Sequence, residues 1–238
     1  MSFFRIFSLF ISRITAFLFK YFFYVLIDFL SKIKAGLKNL KKGIKYAILG
    51  AENFNTLDSH YCFSISPDTP LEHQMVQPTD IHEHLQTLYL LNVELNLKNI
   101  LELGTRTGES TITLLLATKE LGGTMTSVDI DSCLEAKDKI KQMNLEKYWN
   151  FIQTEDLSLT WDKGIDNLFI DTSHTYDQTL AELQKFEPFV RKGGLITLHD
   201  IMSCPPVLDA INDFLTEKDN FRFYKFFHNN GLAILRKI

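Results

Sequence analysis

The chain has 238 residues, of which 45% are hydrophobic and 23% charged, so its length and composition suit one globular domain with an appendage. The net charge of -4 conceals two unlike parts. Residues 1–50 contain nine lysines and arginines and one acid, whereas the remainder contains 28 acids and 16 bases. The acidic remainder argues against nucleic acid as a partner. Cys62, Cys133 and Cys204 lie far apart, which excludes a zinc knuckle, gives no support for a disulfide framework and fits a reduced, cytoplasmic compartment.

The first fifty residues combine an aromatic stretch with a basic one. Nine of the 20 phenylalanines fall within residues 1–30, and Arg13, Lys20 and Asp28 lie within roughly 80° of one another on a helical wheel. Six lysines follow between positions 32 and 45. This pattern predicts that residues 1–50 form an amphipathic, basic helical segment, which binds an anionic membrane surface through residues 1–45 at the cytoplasmic face of the inner membrane. A membrane-spanning helix and a helix packed on a protein surface remain alternatives. Residues 51–78 are predicted to be a linker.

Helices and strands alternate over the predicted domain, residues 79–238. The helices are predicted over Asp80–Asn96, Ser110–Leu121, Ser132–Met143 and Pro205–Thr216, with one more ending near Glu187. The strands are predicted over Asn99–Leu103, Met125–Asp129, Trp149–Gln153, Asn167–Ile170, Leu195–Leu198, Phe221–Phe227 and Leu232–Leu235. The last two are joined by the turn signal His228-Asn-Asn-Gly231. The alternation predicts an α/β fold with a Rossmann-like, seven-stranded and mostly parallel sheet that ends in an antiparallel hairpin.

The turn after the first strand is the first candidate binding element. Its glycines have the spacing Gly104-x-x-x-Gly108, whereas a backbone that approaches a pyrophosphate uses G-x-G-x-x-G. Glu102 places an acid in the strand two residues earlier, where a carboxylate suits the amine and the sulfonium of S-adenosylmethionine better than a pyrophosphate. Arg106 lies inside the turn, where it either orients a ligand or pairs with Glu109. This spacing disfavours an NAD-dependent oxidoreductase.

Acidic residues follow the next two strands as well. Asp129 ends the second strand, where a carboxylate can accept both hydroxyls of a ribose. Glu155 and Asp156 follow the third strand, where an acceptor can take the amino group of adenine. The predicted ligand is therefore S-adenosylmethionine. The predicted cofactor-binding residues are Glu102, Gly104, Thr105, Gly108, Ser110, Asp129, Ile130, Glu155 and Asp156.

Two further acids follow strands that should be neighbours. Asp171 and Asp200 each lie just past a strand end, and carboxylates brought together at a cleft need a cation or a shared proton. A divalent ion such as Mg²⁺ or Mn²⁺ would meet this need and lower the pKa of a bound hydroxyl. His174, three residues beyond Asp171, suits a general base, and Asp171 and His174 are the predicted catalytic residues. A structural, hydrogen-bonded histidine is the alternative for His174.

Residues 79–201 resemble a bacterial group of class I S-adenosylmethionine-dependent methyltransferases. The matching stretches are Thr79-Asp-Ile-His-Glu-His-Leu, Ile100-Leu-Glu-Leu-Gly-Thr-Arg-Thr-Gly-Glu-Ser-Thr, Leu168-Phe-Ile-Asp-Thr-Ser-His-Thr-Tyr176 and Gly193-Gly-Leu-Ile-Thr-Leu-His-Asp200. The group is similar to macrolide-sugar and rhamnosyl O-methyltransferases and to the cephalosporin hydroxylases, and more distantly to catechol O-methyltransferase. The resemblance implies methyl transfer to a hydroxyl, often with a divalent metal.

The resemblance also implies a ligand set for that metal. Asp171 and Asp200 match metal ligands of the group. Catechol-type enzymes have an asparagine where this chain has Ile201, and the macrolide-sugar type has an acid where this chain has His199. His199 can ligate a transition metal but suits Mg²⁺ poorly. The predicted metal ligands are therefore Asp171, His199 and Asp200.

Together these features predict an S-adenosylmethionine-dependent methyltransferase. The resemblance implies that its acceptor is a sugar or another small hydroxyl compound, and the predicted membrane-binding N-terminal segment favours a lipid-linked form of that acceptor. The alternatives are a protein that binds S-adenosylmethionine without transferring its methyl group and, less favoured, an NAD-dependent oxidoreductase. The oligomeric state is left open.

Overall fold

The computed structural model describes residues 69–75 and 77–238. The membrane prediction for residues 1–45, and most of the predicted linker, lie outside these residues. A short helix, α1 (Pro70–Met75), falls within the segment predicted as a linker. In the described part of the chain, no helix combines the length and the apolar character that crossing a bilayer requires.

The predicted sheet is confirmed, with seven strands in the order β3-β2-β1-β4-β5-β7-β6. The strands are β1 (Asn99–Leu103), β2 (Thr124–Asp129), β3 (Trp149–Gln153), β4 (Ile165–Ile170), β5 (Val190–His199), β6 (Phe221–Phe226) and β7 (Leu232–Lys237). The first five are parallel, and β7 pairs antiparallel with both β5 and β6. The order reverses between β1 and β4, and open α/β sheets bind ligands beyond the carboxyl ends of the strands at such a point.

Helices cover the sheet, and their bounds follow local signals in the sequence. They are α2 (Leu85–Glu94), α3 (Glu109–Leu121), α4 (Leu134–Gln142), α5 (Tyr176–Phe186) and α6 (Pro205–Thr216). Pro205 begins α6, where its missing N–H is not needed. Gly122 ends α3 in the left-handed conformation, with its N–H donated to the carbonyl of Lys119. The core is a continuous apolar cluster that includes Leu101, Leu168, Ile196 and Phe214.

Two predicted elements differ from the structure. The helix predicted over Asp80–Asn96 is a 3₁₀ turn at His82–His84, in which His84 is buried, followed by α2. The strand predicted over Leu195–Leu198 is longer in the structure, because β5 already begins at Val190 and runs through Gly193 and Gly194. The pairing with β4 shifts register there, so the glycines form a bulge within the strand.

Candidate active site

The turn between β1 and α3 is folded tightly onto the segment that follows β4. Gly104 has φ +90° and Gly108 has φ +93°, a backbone conformation that favours glycine. The N–H of Gly104 donates to the carbonyl of Val128 at 2.9 Å. A Cβ atom on Gly104 would lie 2.0 Å from the carbonyl oxygen of Asp171. The first predicted binding element and the first predicted catalytic residue are therefore in direct backbone contact.

The carboxylate of Asp129, at the end of β2, organises this turn. One of its oxygens accepts the N–H groups of Thr105 at 2.8 Å and Arg106 at 3.0 Å, and the other accepts the N–H of Asp131 at 2.8 Å. Partial burial favours the neutral acid, but the three N–H groups outweigh it and hold the pKa of Asp129 below its ordinary value. Asp129 is thus an ionised group that fixes the turn and also faces the adjacent cleft.

A cleft of about 400 Å³ opens beside the turn at the carboxyl ends of the strands. Its lining includes five of the predicted cofactor residues, together with Asp171 from the predicted catalytic pair; the five are Gly104, Asp129, Ile130, Glu155 and Asp156. Ile130 is 70% exposed, which is unusual for a large apolar side chain and provides a surface against which a flat ring can pack. Sequence reasoning missed Thr172, Ser173 and Gln178, which also line the cleft. They lie around the start of α5, and their residue types carry no signal in the sequence.

Glu102 is placed differently from its predicted neighbours. Its side chain is fully buried and accepts hydrogen bonds from the hydroxyls of Ser110 at 2.8 Å, Thr111 at 2.8 Å and Ser127 at 2.6 Å. Burial raises the pKa of Glu102 to about 7 against the effect of these three donors. Glu102, Thr105, Gly108 and Ser110 are not among the residues that line the cleft, so their contact with a cofactor stays a prediction.

Asp171, His174, His199 and Asp200 form a cluster that we call the Asp–His cluster. Asp171 follows β4 and Asp200 follows β5, and these strands are neighbours in the sheet. The Nε2 atom of His174 lies 3.0 Å from Oδ1 of Asp171 and 3.0 Å from Oδ2 of Asp200. The Nδ1 atom of His199 lies 3.3 Å from Oδ2 of Asp200 and 3.6 Å from Oδ2 of Asp171. His174 and Asp200 have φ near +60°, and strain of this kind in non-glycine residues is common at functional sites.

The charges in the Asp–His cluster stabilise one another. Hydrogen bonds to Asp171 and Asp200 raise the pKa of His174 to about 10. Burial opposes the charged form of His199, but the same two carboxylates outweigh it and raise its pKa to about 10. Burial likewise opposes ionisation of Asp171 and Asp200, yet the two histidines hold the pKa of each carboxyl below its ordinary value. Without another cation, the cluster is two imidazolium and two carboxylate groups.

This arrangement bears on the general base predicted at His174. An imidazolium held between two carboxylates keeps its proton at neutral pH and cannot accept another. The base role stays a prediction, and it requires that His174 first lose this proton. The carboxylates of Asp171 and Asp200 are the groups in the cluster that can attract a proton or a cation as they stand.

Residues from the start of the domain contact the Asp–His cluster. The Nε2 atom of His199 lies 3.1 Å from the carbonyl oxygen of Asp80, and the ring of His84 packs edge-on against that of His199 at 5.9 Å. Arg106, which the sequence left to pair either with a ligand or with Glu109, forms an ion pair with Asp80 at 2.9 Å. The segment before α2 is therefore part of the site.

A second pair of acids lies at the other end of the cleft. Glu182, on α5, is fully buried and Asp156 is 9% exposed. The amide of Gln178 donates to Glu182 at 2.9 Å and to Asp156 at 3.3 Å, and the hydroxyl of Thr172 donates to Glu182 at 2.9 Å. Burial, together with the neighbouring carboxyl of Asp156, raises the pKa of Glu182 to about 8. The pair therefore shares a proton at neutral pH, and Asp156 presents the outer carboxyl to the cleft.

The protonation of Glu182 predicts how stability depends on pH. An acid whose pKa rises from 4.5 to about 8 on folding stabilises the folded state. This contribution is complete below pH 4.5 and is lost as the pH rises through about 8. Glu182→Gln keeps the neutral form at every pH. The difference in melting temperature between this variant and the wild type should therefore shift in favour of the variant by about 3 °C or more as the pH rises from 4.5 to about 8. Thermal melts at several pH values measure it, with the exposed Glu146→Gln as control. A difference that does not change with pH would show that Glu182 is not protonated.

Comparison with known proteins agrees with this fold. Residues 101–201 match the family model Methyltransf_24, a methyltransferase domain. No curated protein matches the sequence. Similar solved structures include an O-methyltransferase from Bacillus cereus in complex with S-adenosylhomocysteine, with a TM-score of 0.59 and 19% identity over 76% of this chain and 94% of that one. The O-methyltransferase TomG from Streptomyces achromogenes, in complex with S-adenosylmethionine, has a TM-score of 0.56 and 14% identity over 76% and 93% of the two chains.

The SAH-bound methyltransferase PaMTH1 from Podospora anserina has a TM-score of 0.60 and 12% identity over 89% of this chain and 96% of that one. At these identities the likeness concerns the fold. The strand order, with β7 antiparallel between β5 and β6, is that of the class I S-adenosylmethionine-dependent methyltransferases. Residues 101–201 match a methyltransferase domain model, and the described part of the chain has the fold of this class. The resemblance to the macrolide-sugar group in particular stays a prediction.

Proposed function

We propose that the protein is an O-methyltransferase that transfers the methyl group of S-adenosylmethionine to a hydroxyl of a small acceptor, a sugar or a glycan precursor. The observation that carries the proposal is the position of Asp171. Asp171 lines the cleft beside the glycine turn and also belongs to the Asp–His cluster. A methyl donor in the cleft and a hydroxyl held by the cluster would therefore be adjacent.

The residues of the cleft fit the proposed cofactor. A volume of about 400 Å³ is within the range for small-molecule sites. Ile130 offers an apolar face, and Asp129, Glu155 and Asp156 offer acceptors for the hydroxyl and amino groups of a nucleoside. The glycine spacing Gly104-x-x-x-Gly108 also differs from the one with which a backbone approaches a pyrophosphate. The cleft is thus better suited to a cationic sulfonium compound than to a dinucleotide.

The protein's own contribution to the reaction would be alignment and charge. S-adenosylmethionine, when bound, supplies an electrophilic methyl group on a positively charged sulfur. The glycine turn fixes one wall of the cleft. A carboxylate of Asp171 or Asp200 would accept a hydrogen bond from the acceptor hydroxyl and orient its oxygen toward the methyl group. As the O–C bond formed and the C–S bond broke, S-adenosylhomocysteine would leave and the hydroxyl proton would pass to the carboxylate or to water. Correct alignment of two bound reactants is itself worth several orders of magnitude in rate.

The same carboxylates fit a divalent ion. Asp171, His174 and Asp200 can each offer a ligand atom, and these atoms lie within 4.8 Å of one another. An ion bound there would supply positive charge that lowers the pKa of an acceptor hydroxyl. Chelator treatment that removes all methyl transfer would support this part of the proposal. Full activity in chelator would remove the ion from the proposal.

A methyl-transfer assay on the full chain tests the proposal. Calorimetry first measures binding of S-adenosylmethionine. Transfer of labelled methyl to a panel of sugar glycosides and to a bacterial lipid extract is then measured. We expect label that survives alkaline hydrolysis, because a methyl ether is stable to base whereas a methyl ester is not. Binding without transfer to any acceptor would favour the alternative, a protein that binds S-adenosylmethionine without transferring its methyl group. Binding of NAD in its place would favour an oxidoreductase.

The composition of residues 1–50 supports a lipid-linked acceptor. The nine basic residues of this segment predict that the full chain binds vesicles containing phosphatidylglycerol, that it leaves vesicles of neutral lipid unbound, and that added salt weakens the binding. Sedimentation with the two kinds of vesicle measures this. If deletion of residues 1–50 leaves vesicle binding unchanged, the case for a membrane-bound acceptor is lost.

A further inference from the structure

Glu182, on α5, is a fully buried acid that has no role in the reaction proposed above. Its carboxyl accepts hydrogen bonds from the hydroxyl of Thr172 at 2.9 Å and from the amide of Gln178 at 2.9 Å. Its third hydrogen-bond partner is the carboxyl of Asp156. None of these three partners is a cation that could balance a buried negative charge, so Glu182 is stable in this place only as a neutral acid.

The proton of Glu182 has a defined place in this network. Two carboxyls form a hydrogen bond with each other only when one of them is protonated. Glu182 is the more deeply buried of the two, so it keeps the proton and donates it to Asp156. The amide of Gln178 also donates to Oδ2 of Asp156, at 3.3 Å. Asp156 is therefore an ionised acceptor that two donors from α5 hold in position.

Asp156 connects this network to the cleft. It follows β3 and lines the cleft together with Thr172 and Gln178. The same loop is fixed to α5 a second time, because Nζ of Lys185 donates to the carbonyl of Leu157 at 2.6 Å. A purine bound in the cleft would thus meet a carboxylate whose position is set by α5.

We infer that Glu182 is a positioning residue that holds Asp156 ionised and in place to accept the amino group of adenine, and that it thereby makes the cleft select a 6-amino purine over a 6-oxo purine. The inference rests on the proposed function in that it takes the adenosyl group of the cofactor as the ligand. A 6-oxo purine has a carbonyl oxygen where adenine has its amino group. A carbonyl facing a carboxylate leaves two acceptors together with no hydrogen between them.

The inference predicts that binding weakens when Glu182 ionises. Two adjacent carboxylates repel each other, and Asp156 then loses the donor that positions it. Burial and the carboxyl of Asp156 raise the pKa of Glu182 to about 8, so this loss falls above neutral pH. The other charged groups near the pair are Asp129 at the end of β2, Glu155 in the loop after β3 and Lys185 on α5. Comparison of two residues at position 182 cancels the titration of these groups and of the ligand.

Glu182→Gln is the variant for this comparison, because the amide of glutamine donates to Asp156 at every pH. Calorimetry measures the affinity of the full chain for S-adenosylhomocysteine between about pH 6.5 and about pH 9.5. We expect wild type and variant to bind equally at the lower limit. At the upper limit the wild type should bind about 10-fold or more weakly than the variant, because each pH unit above the pKa costs up to about tenfold. Asp177→Asn, on the exposed side of α5, should follow the wild type at every pH.

The choice between two ligands then separates positioning from support of the fold. S-inosylhomocysteine has a carbonyl in place of the amino group of adenine. Near pH 6.5 the wild type should prefer S-adenosylhomocysteine by about 100-fold, which is the worth of one hydrogen bond to a charged group. This preference should fall about 10-fold near pH 9.5, and it should be equally small at both pH values in Glu182→Leu, which has no donor. Partial unfolding would weaken both ligands equally and leave the preference unchanged.

Each outcome separates this inference from the proposed function. A ratio of wild-type to Glu182→Gln affinity that does not change with pH would overturn the role of Glu182, as would a preference between the two ligands that stays constant. Methyl transfer by such a protein would leave the O-methyltransferase proposal standing. The expected pH dependence in a protein that transfers no methyl group would support the role of Glu182 and contradict the proposed function. Failure to bind S-adenosylhomocysteine at any pH would overturn both. The Glu182→Gln comparison decides the matter by itself if Glu182→Leu does not fold, which circular dichroism establishes.

Discussion

Asp171→Asn is expected to lower methyl transfer at least about 100-fold while binding of S-adenosylmethionine survives. Asparagine has nearly the same shape, and its backbone carbonyl still packs against Gly104. The change removes one of the two negative charges of the Asp–His cluster. In the proposed reaction these two carboxylates attract the hydroxyl proton or hold a cation. Asp171→Ala, which also removes the oxygen ligand, is expected to abolish activity. Labelled methyl transfer and calorimetry measure the two effects separately.

The exposed Asp177, in the first turn of α5, provides the matched control. Asp177→Asn removes an equal charge a few residues further along the chain and should leave the rate near that of wild type. If Asp171→Asn transfers methyl groups as fast as Asp177→Asn, the cluster has no part in the chemistry. If both binding and transfer are lost in Asp171→Asn, the residue supports the cofactor cleft and the prediction of a selective effect on transfer is wrong.

The elements of the sheet could be predicted because their signals are local. Alternating apolar strands and amphipathic helices define the parallel part, His228-Asn-Asn-Gly231 marks the hairpin, and Pro205 marks the start of α6. The strands therefore bring Asp129 and Asp171 to one edge as expected. Since a parallel sheet carries its ligands at that edge, these positions followed from the order of the elements alone.

The surroundings of each acid could not be predicted in the same way. Glu102 lies within β1 and Asp129 ends β2, and Glu102 is buried under three hydroxyls whereas Asp129 faces the cleft. The difference depends on which side of the strand each residue occupies and on how α3 packs over it. Glu182 meets Asp156 only because α5 packs beside the loop after β3. Contacts between elements distant in sequence leave no periodic signal, so sequence reasoning had no means to find Glu182 or the carbonyls around His199.

Gly104→Ala should have the largest effect on the folded state. A Cβ atom there would lie 2.0 Å from the carbonyl oxygen of Asp171, which belongs to the backbone and cannot rotate away, and φ of +90° is unfavourable for alanine. We expect the melting temperature to fall by about 10 °C or more, in line with severe destabilisation, and binding of S-adenosylmethionine to be lost because the cleft wall moves. Thermal melts and calorimetry measure both.

Two other glycines divide this effect into its causes. Gly122 also has positive φ, +62°, but a Cβ atom there meets nothing within 4 Å, so Gly122→Ala measures the backbone strain by itself, about 1 kcal/mol. Gly164 has neither a positive φ nor a neighbour within 4 Å, and Gly164→Ala should change stability by less than about 0.5 kcal/mol. The loss in Gly104→Ala beyond that in Gly122→Ala is then due to the contact with Asp171. Equal losses in the two variants would mean that the turn is not packed against the Asp–His cluster, and the proposed adjacency of methyl donor and acceptor would lose its structural basis.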